Sequence, residues 1–588
     1  MLLSQPKKFS AKTTSVPAPI GGWNGRDSLA QMSPLDAVEM VNFYPTPTDV
    51  TMRKGYTKSS TGITGAVNTL MNYPTTSGYK LFAVASTKIY DATSSTASQV
   101  YSSLTSDKLQ FVNITNTAGS FLVTCNGSDA VTIYDGSNWF TVATTTTAQT
   151  ISSITKSGTT ATLTTASPHG LLTNNRVTIS GASSSEYNGT FVITKTGAST
   201  FTYVMATAPA ANATVVGTYT TIGITGVDSS TFINVNLFKN RLYFTQKNTL
   251  SCWYLPVDSI GGAASPLYFG SIARNGGYLQ AMGTWTIDAG QGADDYAVFV
   301  TNMGEVIVYN GTDPSSALTW ALKGVWQLGQ TFNRKCFFKW GGDLLLLTQD
   351  GLVPLASALQ SSRLDPRVNL TDKIYFPISQ AATNYYANFG WQINYFASEN
   401  MLILNIPTND GMEQYVMHTI TKAWARFTNI EAYCWESSGD NTMHFGGDGY
   451  VGNFYVDTAD DGNNITAAVQ QAYSYFDSPG QQKRFTMVRP ILQSQGGVPA
   501  VLCGLSVDFQ PIDNLGAVSF NPSTQSGSTW DTAKWDENIW SGGLITTRVW
   551  QGVTGIGFAG SINLTAAAQG IELHWASTDY VMEQGGVL

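Results

Sequence analysis

The sequence predicts an all-β protein: a β-propeller-like core of repeated hairpins or blades, an inserted small β-barrel or sandwich, and a C-terminal β-sandwich. Three observations predict this class. Strand–turn–strand patterns recur along the chain. Only 12% of the 588 residues are charged while 43% are hydrophobic, so Ser and Thr supply the polarity, which favours strands and turns over solvated helices. One internal stretch changes composition to Thr, Ser, Ala and Gly, which indicates an insertion.

The clearest repeat is Asp295–Pro314. Tyr296–Thr301 and Glu305–Asn310 are short runs rich in β-branched and aromatic residues, and the turn residues Asn302-Met303-Gly304 separate them. Two such runs around a short turn that contains glycine predict a β-hairpin.

Six weaker copies of this pattern follow one another along the chain. Their equivalent points are spaced 41 to 58 residues apart, except for one gap of 120 that holds the inserted stretch. A period of this size with two visible strands per unit is typical of propeller blades, although an ordinary series of hairpins in a sandwich has the same pattern. The copies are Tyr79–Asp91, Ser120–Gly136, Asn240–Pro256, Asp343–Ala356, Met401–His418 and Met443–Asp457.

The length exceeds that of a single core, and the pattern divides it into four parts. Residues 1–60 form an extended arm, 61–146 together with 223–465 form the propeller, 147–222 form the insert, and 466–588 form the C-terminal β-domain. Thr466–Phe476 fits either a short helix or a strand. The last domain is predicted as a sandwich, with closure or axial extension of the propeller as alternatives.

The arm is rich in proline and poor in large apolar residues, so it is expected to run extended over another surface. One short helix is predicted in it. Ser33 would be the N-cap, Pro34 the first helical residue, and Leu35, Val38 and Met40 the apolar contacts.

The insert reads as a series of short strands with turns at Ser167–Gly170 and Tyr187–Gly189. Its His169-Gly170-Leu171 resembles the His-Gly-Leu module of phage structural proteins, which implies a lateral domain with surface adhesion as one possible role. The strand candidates are Thr159–Thr165, Arg176–Ser180, Thr190–Lys195 and Thr200–Val204.

The charge balance and the cysteines limit the function classes. A net charge of −8 argues against a surface that grips phosphates through released counterions. Five dispersed cysteines without a CxxC pair predict buried free thiols and assembly in a reducing cytoplasm. No signal peptide and no apolar run near 18 residues is present, so no membrane insertion is expected.

Signals for catalysis, metal or cofactor binding are weak, and the predicted protein is not an enzyme. The four histidines lie in separate segments without metal-ligand spacing. Gly555-x-Gly557-x-x-Gly560 matches the dinucleotide fingerprint, but a strand is predicted to follow it where a phosphate needs a helix N-terminus. The acidic pairs Asp294-Asp295 and Asp460-Asp461 read as solvated turn residues, with calcium or glycoside chemistry as the alternative. Four tryptophans near the C-terminus fit interface anchors better than sugar platforms: Trp530, Trp535, Trp540 and Trp550.

Three short motifs in the arm carry a resemblance to a known family. They are Gly21-Gly22-Trp23-Asn24, Asn42-Phe43-Tyr44-Pro45 and Arg53-Lys54-Gly55-Tyr56. Together with Trp530–Trp540 and the closing Ser577–Leu588, they resemble the tail nozzle proteins of short-tailed bacteriophages, also called tail tubular protein B or tail stabilisation proteins.

This resemblance implies a structural virion protein without a cofactor, assembled in the host cytoplasm. It would form a homo-oligomeric ring, a hexamer, that continues the DNA ejection channel below the portal and adaptor. DNA would pass through without specific binding, and other tail proteins would be partners. Trp23, Phe43, Tyr44 and Arg53 are the candidate assembly contacts of the arm. A receptor-binding or carbohydrate-degrading tail protein and a cellular propeller scaffold are the alternatives.

Overall fold

A computed structural model describes residues 11–144, 148–288, 293–359, 368–510, 515–518 and 545–587. Nearly all of its regular structure is β-strand, which confirms the predicted all-β class. The chain forms two compact units. Unit 1 combines Met1–Thr61 with Leu370–Leu588, and unit 2 is Gly62–Asn369.

The arm contains five short strands and enters a long sixth strand, in which the chain passes from unit 1 to unit 2. They are β1 (Ala11–Pro17), β2 (Gly22–Trp23), β3 (Asp36–Val41), β4 (Phe43–Pro45), β5 (Val50–Met52) and β6 (Gly55–Thr75).

Unit 2 continues with seven strands before the insert and seven strands within it. The first seven are β7 (Gly78–Ala85), β8 (Lys88–Asp91), β9 (Ser98–Ser102), β10 (Gln110–Asn116), β11 (Gly119–Cys125), β12 (Thr132–Tyr134) and β13 (Trp139–Thr141). The insert contains β14 (Gln149–Ser157), β15 (Thr160–Thr165), β16 (Arg176–Ala182), β17 (Gly189–Val192), β18 (Thr194–Lys195), β19 (Thr200–Val204) and β20 (Val216–Thr221).

The described residues in the remainder of unit 2 form thirteen strands and one short α-helix, besides a single 3-10 turn at Ser229–Thr231. They are β21 (Ile224–Thr225), β22 (Phe232–Phe238), β23 (Arg241–Gln246), β24 (Ser251–Tyr254), β25 (Gly262–Ala263), β26 (Ser265–Tyr268), β27 (Leu279–Asp288), β28 (Ala293–Thr301), β29 (Glu305–Gly311), β30 (Trp320–Gln327), β31 (Phe337–Trp340), β32 (Asp343–Thr348), β33 (Gly351–Pro354) and α1 (Leu355–Ala358).

The second part of unit 1 begins with a helix and continues with fifteen strands. They are α2 (Tyr375–Tyr385), β34 (Gln392–Phe396), β35 (Met401–Pro407), β36 (Met412–His418), β37 (Trp424–Phe427), β38 (Cys434–Ser437), β39 (Met443–Gly446), β40 (Asp448–Asp457), β41 (Ile465–Gln471), β42 (Gln481–Gln495), β43 (Ala500–Val507), β44 (Gly516–Ala517), β45 (Ile545–Thr547), β46 (Gln551–Gly557), β47 (Gly560–Ala568) and β48 (Glu572–Val587).

Unit 2 contains five successive antiparallel sheets whose strands follow one another along the chain, which is the strand order of propeller blades. The first is the stretch β6-β7-β8-β9 of a seven-stranded sheet, β38-β39-β40-β6-β7-β8-β9. The other four are β10-β11-β12-β13, β22-β23-β24-β26, β27-β28-β29-β30 and β31-β32-β33. The predicted hairpin Asp295–Pro314 forms β28 and β29, with Val298 opposite Val308. Val306, Ile307 and Val308 are all buried because this sheet is covered on both faces.

Neighbouring sheets of unit 2 pack face to face through continuous apolar cores. One cluster joins the first and second sheets around Phe82, Leu122 and Trp139. Another joins the second and third around Val123, Ile133 and Phe244. The third and fourth share a cluster around Tyr243, Phe299 and Trp320. Face-to-face burial of consecutive sheets is how a radial array of blades gains its stability.

The insert is a seven-stranded sheet with its own core, in the order β17-β16-β20-β14-β15-β19-β18. Leu163, Tyr187, Phe201 and Tyr219 are among its most buried side chains. Each of the four predicted strand segments of the insert overlaps a strand of this sheet.

Unit 1 is assembled from strands that are far apart in sequence. One sheet has the order β4-β5-β48-β42-β45, with β1 added to β48 and β46 to β42. Another runs β34-β35-β36-β37-β3-β41-β47-β43-β44, with β2 added to β3. The last two predicted repeats do form hairpins, β35–β36 and β39–β40, but these belong to unit 1. The domain predicted as a propeller is therefore divided between the two units.

The helix predicted from Ser33 to Met40 is wrong. Residues Asp36–Val41 form β3, which pairs antiparallel with β41 and in parallel with β2. Ser33 still accepts a hydrogen bond from the Leu35 N–H at 3.3 Å, so the capping chemistry closes a turn instead. Val38 and Val41 suit a strand, and a partner more than 400 residues away decides the outcome. Thr466–Phe476, left open between helix and strand, contains most of strand β41.

All five cysteines are buried free thiols, as predicted. Burial raises the thiol pKa of Cys125, Cys336 and Cys503 to about 12, so these groups stay protonated and unreactive. Within the described parts of the chain, no helix has the length and apolar character needed to cross a membrane.

Candidate functional site

The arm is held in unit 1 by a buried arginine, Arg53. Its guanidinium faces the Asp460 carboxylate in a two-pronged pair, with N···O distances of 2.8 and 2.6 Å. The other N–H groups donate to the Asn42 Oδ1 atom at 2.8 Å and to the carbonyl oxygens of Thr428 and Lys54 at 3.0 and 3.1 Å. All five guanidinium N–H groups therefore have an acceptor, which is the condition for burying such a charge.

Asn42 completes this network from the arm. The residue is fully buried with a φ of +54°, a backbone conformation that asparagine tolerates better than most residues. Its side-chain amide donates to the Thr428 hydroxyl at 3.0 Å and to the Thr466 carbonyl at 2.7 Å. Its Oδ1 atom also accepts from the Thr428 N–H at 2.9 Å. The network ties the arm to two loops that arrive from the distant half of unit 1.

The aromatic residues of the arm also lie in the interior of unit 1. Trp23 contacts the Tyr415 ring edge-on, with 5.1 Å between centroids, and the Arg426 guanidinium lies 5.9 Å from the Trp23 ring. Phe43 has no exposed surface. The Tyr44 hydroxyl lies 3.2 Å from the carbonyl oxygens of both Glu399 and Asn400.

The four predicted assembly contacts thus converge on one unit of their own chain. Trp23, Phe43, Tyr44 and Arg53 are each 9% exposed or less. Such side chains leave almost no surface for a neighbouring subunit, and the structure assigns them the role of anchoring the arm. Contact of the arm with a neighbouring subunit stays a prediction, and it falls to the exposed residues of the arm.

A cleft of about 390 Å³ opens beside this anchor, in the size range of small-molecule sites. The arm hairpin β4–β5, the turn before β35, the end of β36 and the start of β48 form its walls. The side chains that give it chemical character are Tyr44, Lys54, Glu399, His418, Tyr455, Glu572 and His574.

Burial shifts the titration of several groups in the cleft. It raises the pKa of the Glu399 carboxyl, and the Lys54 ammonium opposes that shift only partly. It lowers the pKa of His418, so this imidazole is neutral at pH 7. The His418 Nδ1 atom accepts from the Thr421 N–H at 3.3 Å, which leaves the proton on Nε2.

The lining residue His574 pairs with Asp49 beside the cleft. The Asp49 Oδ2 atom lies 2.9 Å from the His574 Nδ1 atom. Burial alone would raise the pKa of Asp49, but hydrogen bonds from His574 and Thr46 outweigh it and the pKa is lowered. The pair joins the arm hairpin to the C-terminal strand β48.

In unit 2, polar side chains on the first strands of the sheets connect neighbouring sheets. The Asn113 amide donates to the Asn72 carbonyl at 2.9 Å, and the Asn236 amide donates to the Thr284 hydroxyl at 3.0 Å. The Asn234 Oδ1 atom accepts from the Met282 N–H at 3.2 Å. These bonds hold adjacent sheets in fixed register along their first strands.

Arg334, which precedes β31, connects three sheets. Its guanidinium donates to the Asn126 carbonyl at 2.9 Å, at the end of β11. Its own carbonyl accepts from the Asn234 amide of β22 at 3.4 Å. Burial lowers the pKa of Arg334, since a carbonyl compensates the charge less than a carboxylate does.

The four histidines lie at three separate places. His169 accepts a hydrogen bond from the Leu171 N–H at 2.9 Å and closes the His-Gly-Leu turn of the insert. His444 lies in β39, 3.0 Å from the Ser438 hydroxyl. His418 and His574 share the cleft. Among the described residues, no group of three or more His, Cys, Asp or Glu has a geometry that fits a metal ion.

The remaining sequence candidates have structural roles or lie outside the described residues. Gly555 and Gly557 lie in β46 and Gly560 begins β47, two strands of different sheets, so a strand follows the glycines as predicted. The prediction that Asp460 is solvated is wrong, because it pairs with Arg53; Asp461 pairs with Lys58 at 2.8 Å. Of the four tryptophans, Trp550 lies 4.5 Å from the Arg489 guanidinium, and the other three are outside the described residues.

Comparison with known proteins identifies no family. No protein-family model matches the chain, and no curated protein matches it. Similar solved structures include the computationally designed Ika8 protein, with 10% identity, a TM-score of 0.32, and 68% of this chain and 100% of that one covered. YCF48 from Cyanidioschyzon merolae has 10% identity and a TM-score of 0.25, with coverages of 70% and 98%. The Cps50 (Swd1) β-propeller domain from Myceliophteria thermophila has 8% identity and a TM-score of 0.27, with coverages of 68% and 99%. Likeness at this level supports no inference about function.

Proposed function

We propose that this protein is a structural component of a phage virion, the tail nozzle of a short-tailed phage. Its subunits form a ring that continues the DNA ejection channel below the portal and adaptor. The observation that carries the proposal is the series of five consecutive antiparallel sheets in unit 2, of which the first four pack against one another through shared apolar clusters. It is combined with the resemblance of the arm motifs to the nozzle family.

The mechanism is mechanical. The central strands of the sheets in unit 2 are buried on both faces, and side-chain hydrogen bonds join the first sheet to the second and the third to the fourth. Such a body resists deformation because close-packed cores transmit strain instead of absorbing it. A chain with net charge −8 has little tendency to hold DNA by pairing with its phosphates, which suits a conduit.

The arm serves this function by fixing the shape of unit 1 before assembly. Arg53, Asn42 and Asp460 form a fully bonded network between the arm and two distant loops. An arm that is already folded onto its own chain loses little conformational entropy when subunits associate. The exposed residues of the arm remain available for partner subunits.

Electron microscopy of the purified full-length protein, and of virions, tests the proposal. We expect ring-shaped particles with a central hole, and the same ring at the tail of the virion. Arg53→Ala is expected to reduce ring formation, whereas Arg484→Ala, which removes a largely exposed ion pair with Glu583, leaves it unchanged. A strictly monomeric protein that is absent from virions would exclude a nozzle.

The cleft in unit 1 supports a second candidate, a carbohydrate-binding or carbohydrate-degrading tail protein. It brings Glu399 and Glu572 into one cavity with two tyrosines, and burial raises the pKa of Glu399, as a general acid requires. Incubation with host polysaccharide distinguishes the candidates. Release of reducing ends that is lost in Glu399→Gln favours the enzyme, and no release favours the structural role.

A further inference from the structure

The N-terminal strand β1 is held in an unusual way. It lies antiparallel along the edge of β48, from Ala11 opposite Glu583 to Pro17 opposite Ser577. Five of its seven side chains are exposed, and Val16 alone is classed as buried. Main-chain hydrogen bonds therefore hold this strand, with little contribution from side-chain packing.

The chain becomes firmly anchored only where β1 ends. The Gln471 side-chain amide donates to the carbonyl oxygens of both Pro17 and Pro34 at 2.8 Å. The Ala18 N–H donates to the Ala576 carbonyl at 3.0 Å, and Ala18 is fully buried. Pro17 therefore marks the boundary between a strand held mainly by its main chain and the anchored part of the arm.

The edge of β48 depends on the arm for its cover. Strand β5 pairs with His574 and Trp575, and β1 pairs with the next stretch of the same edge, Ser577–Glu583. Without β1, this stretch presents unpaired N–H and C=O groups, which recruit another strand. Main-chain hydrogen bonds depend little on the side chains of the paired strand. The identical strand of a second copy can therefore form the same hydrogen bonds with this edge.

We propose that β1 is exchanged between neighbouring subunits of the assembled ring, so that residues 11–17 of one copy pair with Ser577–Glu583 of the next. The inference rests on the proposed ring. Each subunit gives one strand and receives one, so the main-chain bonds of the single chain are all kept. Seven extended residues span about 23 Å, which is enough to reach across a subunit boundary. In a closed ring, each β1 strand is held close to the β48 edge of its neighbour. The effective concentration of the two partners is therefore high, which favours the exchange.

Cysteine cross-linking in the full-length protein tests the exchange. Thr13 and Val581 are directly opposite in the register, and neither side chain is buried. The five native cysteines are buried free thiols and do not compete. Oxidation of assembled Thr13→Cys/Val581→Cys protein is expected to produce covalent multimers on non-reducing gels. Rings in which every such disulfide lies within one chain would overturn the exchange.

Mixed assemblies make the result independent of the double variant. Copies with Thr13→Cys and differently tagged copies with Val581→Cys are co-expressed, so their disulfide must join two chains. A cross-linked heterodimer supports the exchange, and its absence overturns it. The matched control is Thr115→Cys/Ser120→Cys, a directly opposite pair in the β10–β11 hairpin, which forms its disulfide within one chain in every state.

Microscopy of the same samples separates this inference from the proposed function. Rings with disulfides only within single chains overturn the exchange and keep the nozzle proposal. Cross-linked oligomers that never close into rings support the exchange and overturn the nozzle proposal. Monomers that show neither rings nor interchain disulfides overturn both.

Discussion

The two units of this protein differ in how far apart in sequence their paired strands lie. Outside the insert, unit 2 is built mainly from five runs of strands that are neighbours both in sequence and in a sheet, beginning with β6-β7-β8-β9. Unit 1 builds its sheets from strands hundreds of residues apart, as when β3 pairs with β41 and β1 with β48. The difference shows that turn chemistry is sufficient to specify local sheets, whereas distant strands need additional contacts to select their partners.

The polar groups in the two interiors differ accordingly. Unit 1 contains a buried Arg53–Asp460 ion pair in which every guanidinium N–H is bonded. In unit 2, the partly buried cation Arg334 donates to a backbone carbonyl. A charged pair with strict geometry selects one arrangement of the chain among several. It occurs in the unit whose paired strands are farthest apart in sequence.

The largest effect is expected from breaking the ion pair of unit 1. Arg53→Ala leaves the Asp460 carboxylate buried without its partner, so unit 1 is expected to lose about 3–5 kcal/mol of unfolding free energy. Hydrogen exchange followed by mass spectrometry measures this in peptides from each unit, and those of unit 2 should change little.

Two variants accompany this experiment. Arg484→Ala removes a largely exposed pair of the same unit and should cost about 1 kcal/mol or less. Arg53→Met combined with Asp460→Leu removes both charges and should recover much of the loss. Equal losses for Arg53→Ala and Arg484→Ala would contradict the assigned role of the buried pair.

A core truncation in unit 2 is expected to act just as locally. Leu242 is fully buried between the second and third sheets, so Leu242→Ala should destabilise unit 2 by about 2–5 kcal/mol through lost burial and a cavity. Denaturant unfolding with hydrogen exchange in peptides from 62–369 measures the loss. Leu318→Ala, at a side chain 98% exposed, is the control and should change the free energy by about 0.5 kcal/mol or less.

The partly buried arginine of unit 2, Arg334, provides a second comparison. Arg334→Ala removes a charge-assisted hydrogen bond to the Asn126 carbonyl. The acceptor left without this bond is a neutral carbonyl and not a charged carboxylate. The expected loss is therefore about 1.5–3 kcal/mol, less than for Arg53→Ala. Thermal unfolding of the two variants in parallel provides the comparison. A larger loss at Arg334 would show that the strength of the charged network does not distinguish the units.

The smallest predicted effect is a pH dependence of unit 1. Burial lowers the pKa of His418 and His444, so the unfolded chain binds protons first as the pH falls below about 6.5. Their contribution to stability is complete above that pH and is lost as the pH falls towards the folded pKa. By pH 5.5 each histidine costs at most about 1.4 kcal/mol.

Denaturant midpoints between pH 7.5 and 5.5 measure this dependence. The double variant His418→Gln/His444→Gln should flatten the curve for unit 1, and His169→Gln in unit 2 is the matched control. An unchanged slope in the double variant would show that groups other than His418 and His444 cause the acid sensitivity.

The arm shows what local sequence patterns predict and what they do not. Its motifs single out Trp23 and Arg53 as important, and the structure makes them anchors of unit 1. The partner Asp460 was not predicted, because an aspartate in a Gly/Asn-rich loop has the same sequence pattern whether it is solvated or paired. The helix predicted at Ser33–Met40 failed for a related reason: β41 supplies a pairing edge that no local signal reveals.

By itself, the sequence determined the all-β class, the hairpins of unit 2 and the separate strands of the insert. In the hairpins of unit 2, β-branched runs and turn residues lie within a few positions of the partner strand. Each strand of the insert has its own β-branched run, although a partner strand can lie far along the chain, as β19 does from β15. The tertiary structure alone decided which distant strands pair in unit 1, that the sixth and seventh hairpins join that unit, and that Arg53 meets Asp460. The physical reason is that hydrogen bonds, burial and charge pairing depend on distance in space, and over 400 residues the local chain pattern carries no information about that distance.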